Sequence, residues 1–222
     1  MLTKSSPSNG SQKAAKRAEI ERLILEAAES VFADYGYEGA TTSRIARLAG
    51  IPKANLHYYF PTKKGLYRQV IDNIFNIWLD AADSFDDCDD PVDAISRYID
   101  KKMDISRLHP KGSKVWANEI LQRAPIIQDY LQTTLKTWTH SRAQVIQRWI
   151  DEGRIAAINP DYLLYMIWAT TQHYADFGHQ IKTLNDDNDL SDEQFELAKK
   201  TVTDIILRGI GAIDADCKGP LT

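Results

Sequence analysis

The chain has 222 residues, enough for one substantial core or two small ones. Its 11 glycines and 8 prolines favour long helices over a turn-rich β fold. The two cysteines, Cys88 and Cys217, are far apart in acidic surroundings, which excludes a CxxC or metal-ligand spacing and implies free thiols in a reducing compartment. The formal net charge of −4 argues against a nucleic-acid partner only as an average. Between Lys4 and Arg68, eleven lysines and arginines face six carboxylates, so a basic head precedes an acidic body.

The first thirteen residues, MLTKSSPSNGSQK, lack the apolar stretch of a signal peptide, and residues 1–12 read as a disordered arm. An amphipathic helix follows, with Ile20, Leu23, Ile24, Ala27, Val31 and Phe32 at three- and four-residue steps, and stops at Gly36. Thr42 is expected to cap a second helix that ends at Gly50. Pro52 suits the first turn of a third helix reaching Phe60, and Thr62 caps a fourth that turns Leu66, Val70, Ile74 and Trp78 inward. Past the acidic stretch Asp83 to Asp90, helices are predicted from Pro91, over Val115 to about Arg123, from Pro125 to Gly153, and from Pro160 through Phe177. A last one follows a capping box of Ser191 and Gln194. The fold class is all-α, with roughly nine helices. The densest apolar run, YLLYMIWA from Tyr162, falls short of the ~20 residues of a membrane span, so a cytoplasmic protein without a membrane partner is expected.

The stretch TTSRIARLAGIPKANLHYYFPTKKGLY, Thr41 to Tyr67, carries most of the function. At about 100° per residue, Leu56, Tyr59 and Phe60 fall on one side of the third helix. Lys53, Ala54, His57 and Tyr58 fall on the other, with Asn55 beside them. A short helix exposing a cation, an imidazole and a phenol after a helix and a Gly turn is a helix-turn-helix arrangement, whose second helix enters the DNA major groove. Thr42 and Ser43 can contact phosphate from the preceding helix, and Lys63 from the other flank, with Lys64 a weaker candidate. The competing interpretation is a packing hairpin of a helical bundle.

This stretch resembles the DNA-binding domain of the tetracycline-repressor (TetR) family of bacterial regulators over roughly Ile20 to Val70. The resemblance implies a helix-turn-helix domain over 13–62 and a helical effector-binding and dimerisation body over 63–222. It also implies a homodimer on double-stranded operator DNA, acting as a transcriptional regulator, by family habit a repressor. Pro52 stands where a small polar residue is common and His57 where tyrosine is usual. In the body, NIWL (Asn76–Leu79), ANEILQRAP (Ala117–Pro125) and MIWATTQHYADF (Met166–Phe177) are similar to a pyrimidine-utilisation subgroup whose members respond to uracil and thymine.

Trp168 and Gln172 stack at i, i+4 on one helix, offering an indole face and an amide with both donor and acceptor, and Trp78 can close the other side. These three, with Glu119 as an acceptor for a ligand N–H, form the candidate effector site; uracil or thymine is the expected ligand, an apolar effector the alternative. The alternative roles are core aromatics, an amide capping a buried carbonyl, and a surface carboxylate. Steps of three spread His173, Asp176 and His179 around their helix, so no metal site is expected, and no cofactor or catalytic constellation stands out. A helical-bundle enzyme and a protein-binding adaptor remain as other classes. The dimer is expected through the helices at about 159–177 and 191–211, with Leu163, Ile167, Val202, Ile205 and Ile206 on the apolar faces.

Overall fold

The computed structural model describes residues 9–82, 85 and 88–213, and every regular element among them is helical. The chain divides into two compact units, up to Asn73 and from Ile74 onward.

In the first unit, α1 (Asn9–Gly39) begins within the stretch expected as an arm, whose residues 1–8 lie outside the described ones. The helix breaks at Gly36, where φ is 64° and ψ 178°. That left-handed φ needs a residue without Cβ, which is why the periodic pattern stops there. α2 (Thr42–Leu48) is capped by Thr41, whose Oγ1 accepts the Arg44 N–H at 3.2 Å. The cap is thus one residue earlier than expected, and Thr42 is the first helical residue. Gly50, at φ 68°, turns the chain into α3 (Lys53–Tyr59), with Pro52 just outside the helix rather than in its first turn.

α4 (Lys63–Ala81) starts at Thr62, whose Oγ1 accepts the Gly65 N–H at 3.0 Å. Ile24, Phe32, Ile45, Leu56, Leu66 and Ile71 are buried in this unit. The rings of Phe32 and Tyr37 meet the Tyr67 ring edge-on at 4.8 and 4.9 Å. Because Leu66, Tyr67, Val70 and Ile71 are all buried, the first unit takes in the first half of α4 instead of closing at residue 62.

The second unit opens with the rest of α4. α5 (Pro91–Leu108) is capped by Asp90, which accepts the Asp93 N–H at 3.0 Å, and α6 spans Pro110–Leu121. Arg123 and Ala124 take positive φ (67° and 52°), so the next helix begins at Gln128 and not at Pro125. It runs as α7 (Gln128–Tyr130), a π-helical segment (Leu131–Leu135) and α8 (Lys136–Asp151). α9 (Pro160–Asp176) is followed by α10 (Gly178–Leu184), a helix absent from the sequence-based reading because GHQIKTL has only two apolar residues and no stripe. α11 (Asp192–Gly209) carries the expected capping box: Ser191 Oγ accepts the Gln194 N–H at 3.2 Å, and Gln194 Oε1 accepts the Ser191 N–H at 2.9 Å.

α5 is central to this unit and packs on α6, α9 and α11. Tyr98, Ile99, Met103, Ile146, Trp149, Leu164, Ile167 and Phe195 belong to its core. The Ser106 hydroxyl, 3.0 Å from the Lys102 carbonyl and 2.9 Å from the Thr171 carbonyl, shares its one proton between them and registers α5 against α9.

Candidate nucleic-acid interface and ligand cavity

The recognition face of α3 is built by a single anchor. Leu56 is wholly buried, with Tyr59 and Phe60 half-buried on the same side. Lys53, Ala54, Asn55, His57 and Tyr58 are exposed, Tyr58 at 72%. The Tyr58 ring stands edge-on to Tyr59 at 5.2 Å, so the exposed phenol has a half-buried ring to rest on. Ser43 is exposed and Thr42 half-buried at the start of α2.

Lys63 is engaged differently from the sequence expectation. Its Nζ donates to the carbonyls of Tyr37 (2.6 Å) and Ala40 (3.1 Å) and lies 4.3 Å from the centre of the Tyr37 ring. Two of its three N–H groups thus satisfy carbonyls around the end of α1. Arg44 stacks over Tyr35 at 3.8 Å, while Lys64 is exposed.

In the second unit a cavity of about 410 Å³ lies among α4, α5, α6, the π-helical segment, α8 and α9. That is toward the lower end of the ~300–1,000 Å³ of small-molecule sites. Trp78, Trp168 and Gln172 all line it. The Trp168 indole N–H donates to the Tyr98 hydroxyl at 2.8 Å, so that donor is already used. Trp138 and Trp168 lie 6.1 Å apart at a 35° tilt, and Trp78 meets Trp116 edge-on at 5.3 Å. Leu131 and Leu135 reach the cavity from the π-helical segment, a distortion that re-aims side chains at such sites.

Glu119 is not among the lining residues. It is buried, and its Oε1 accepts the N–H groups of Ile126 at 2.7 Å and Ile127 at 3.3 Å. Its role here is to brace the turn through Arg123 and Ala124, neither a surface carboxylate nor a contact of this cavity.

Lys102 was missed. It is buried on α5, lines the cavity, and sets its ammonium 4.4 Å from the centre of the Trp78 ring. Burial pushes it down to about 7, while the Asp176 carboxylate opposes that shift. Asp176 is itself raised by burial, although it accepts a 2.6 Å hydrogen bond from Ser113. The sequence signal was present: Lys102 falls four residues after Tyr98 and one before Met103, on the apolar stripe of α5.

Among the described residues, no group of three metal-ligating side chains converges, and no helix is long and apolar enough to cross a membrane. Of the expected dimer contacts, Leu163, Ile167 and Ile206 are buried within their own unit. Each of these helices has a second apolar stripe, and the outward one carries Tyr162, Tyr165 and Met166 on α9 and Leu197 and Ile205 on α11.

A helix-turn-helix unit with an exposed basic and aromatic recognition face, joined to a helical unit enclosing a small cavity, defines a ligand-responsive transcriptional regulator. Residues 24–70 match the family model for bacterial regulatory proteins of the tetR family, and residues 71–213 match that for the YcdC-like protein C-terminal region. The chain belongs to the TetR family. It is 37% identical over 190 residues to the HTH-type transcriptional regulator RutR of Escherichia coli strain K12, covering 86% of this chain and 90% of that protein. The RutR of Shigella flexneri matches to the same extent.

Solved structures share the fold. AibR in complex with isovaleryl coenzyme A and operator DNA has a TM-score of 0.68 at 16% identity, covering 88% of this chain and 100% of that one. The putative transcriptional regulator SCO4942 of Streptomyces coelicolor has a TM-score of 0.67 at 18% identity, covering 86% and 98%.

Proposed function

We propose that the chain is a pyrimidine-responsive regulator, with uracil or thymine entering the cavity of the second unit and changing the affinity of the first for operator DNA. The observation that carries this reading is the convergence of Trp78, Trp168 and Gln172 on one cavity, in a chain similar over most of its length to RutR. The rings offer flat apolar contact and the Gln172 amide offers both a donor and an acceptor, which suits the face and edge of a pyrimidine-dione.

On the DNA side, Lys53, Ala54, Asn55, His57 and Tyr58 are proposed to meet the major groove, and Thr42 and Ser43 the phosphates. Lys63 contributes through its remaining N–H and through the α1 carbonyls it holds. The dimer is proposed to form on the outward stripes of α9 and α11, which expose more large apolar side chains than a monomer surface needs. α4 carries buried residues of the first unit, Leu66 and Val70, and cavity residues of the second, Phe75 and Trp78. A ligand that favours one position of α4 then shifts operator affinity by its differential affinity for the two states.

Calorimetry with uracil and thymine on wild type and Gln172→Ala tests the ligand. Binding that weakens with the substitution supports the site. Undiminished binding removes Gln172 from it, and no binding to wild type removes the pyrimidine.

A further inference from the structure

Inside the cavity the walls are mainly aromatic and aliphatic, and among the described lining residues Lys102 is the charged one. Its side chain is 3% exposed, yet among the described residues its ammonium makes no hydrogen bond or ion pair. The Trp78 ring lies under it at 4.4 Å, and Asp176 acts on it only through space while accepting from Ser113. A buried ammonium held this way is costly unless something else receives its N–H groups. A methionine would fill the same slot without that cost.

One turn earlier on the same helix, Tyr98 lines the same cavity. Its oxygen accepts from Trp168, so its own proton remains to be donated. From α9, Gln172 supplies an amide. Two donors from α5 and one amide from α9 therefore line one largely apolar cavity.

We propose that Lys102 is the specificity-determining residue of this cavity, donating to a ring carbonyl oxygen, so that the site takes planar lactams and cyclic imides and discriminates against equally flat rings without a carbonyl. This rests on the reading that the cavity is the effector site. The carbonyl completes the shell of the ammonium, Tyr98 donates to a second oxygen where the ring has one, and the Gln172 carbonyl accepts the ring N–H. Burial, which pushes Lys102 down to about 7, makes its charge sensitive to such an acceptor. The charged and titratable groups around it are Asp176 and, beside that carboxylate, His173, both on α9, with Tyr98 on its own helix and Arg142 acting on Tyr98 from α8.

Calorimetry with a small panel tests this: uracil and 2-pyridone, which carry carbonyls, against pyrimidine and pyridine, which do not, on wild type and Lys102→Met. A charge-assisted hydrogen bond predicts that wild type favours the carbonyl rings by about tenfold or more and that Lys102→Met removes the preference. Circular dichroism checks the fold of the variant, and Lys102→Ala carries the same comparison if the methionine variant is misfolded. If 2-pyridone binds in a Lys102-dependent way and uracil does not, the carbonyl anchor stands and the pyrimidine effector falls. A preference that survives in Lys102→Met, or a wild type that favours no carbonyl ring, overturns the proposal.

Discussion

The indole N–H of Trp168 donates to the buried hydroxyl of Tyr98 across 2.8 Å, tying α9 to α5 at the wall of the cavity. Tyr98 is fully enclosed, and burial raises its phenol well above the ordinary value, so it stays protonated at any working pH. Removing the oxygen leaves a half-buried indole donor with no acceptor. Tyr98→Phe is expected to lower stability by about 1–3 kcal/mol in chemical denaturation and to weaken binding of a carbonyl-bearing ring, with operator binding in the absence of ligand unchanged.

Glu119 predicts a different kind of defect. Its carboxylate holds two backbone N–H groups after a turn with two residues at positive φ. Glu119→Ala removes the carboxylate acceptor from two buried N–H groups. The expected loss is about 2–4 kcal/mol in thermal or denaturant unfolding, with binding weakened indirectly through the π-helical segment that follows. A variant as stable as wild type would contradict the bracing role.

Lys102 gives the second unit a pH dependence whose sign follows from its depressed value. In the unfolded chain it titrates near its ordinary 10.5, and in the folded protein at about 7. Between those values the unfolded chain holds a proton that the folded one has released, so stability rises as pH increases from about 7 toward 10.5 and is least below 7. Asp176, raised by burial, is the carboxylate that opposes the Lys102 shift. Lys102→Met should be more stable than wild type at neutral pH, by up to a few kcal/mol, and should lose the slope. Urea denaturation at a series of pH values measures both.

Ile205 is 65% exposed on α11, with Tyr162 and Met166 exposed on α9. Ile205→Glu is expected to leave the circular dichroism spectrum intact and to move the protein from dimer to monomer in sedimentation. Operator affinity should fall with it, because two recognition helices must bind together. The same substitution at buried Ile206 should unfold the unit instead.

Much of this was legible in the sequence, and the exceptions share a cause. The face of α3 follows from spacing alone, since one buried Leu56 fixes which side chains point outward. Trp78, Trp168 and Gln172 line one cavity, and the fourfold step on α9 that places two of them on one wall is visible in the sequence. Periodicity identifies apolar stripes but does not say which stripe meets its own chain and which a second copy, so Leu163, Ile167 and Ile206 were placed at the dimer face while they fill the core. Polar side chains that face inward defeat the same logic. Glu119, expected as a ligand acceptor or a surface carboxylate, turns to backbone N–H groups that spacing does not reveal. Lys102, although it stands on the apolar stripe of α5, reads as a solvated charge unless that stripe is weighed against its residue type. Lys63 belongs with them, since no local pattern reveals that its partners are carbonyls more than twenty residues earlier.

For the first unit, Lys53→Ala should weaken operator binding more than binding to unrelated DNA and narrow the preference between them, as loss of a major-groove contact does. Lys63→Ala should instead lower the stability of the unit by about 1 kcal/mol or more, since the carbonyls of Tyr37 and Ala40 lose their donor. His57→Ala should change which sequences are preferred.

The central claim is that a ring in the cavity governs DNA binding by α3, and operator affinity measured with and without uracil tests it most directly. Fluorescence anisotropy on promoter DNA should show a reproducible shift in Kd for wild type on adding saturating uracil or thymine, with Gln172→Ala and Lys102→Met needing markedly more ligand for the same shift. Tight DNA binding that neither pyrimidine alters at any concentration would contradict the account.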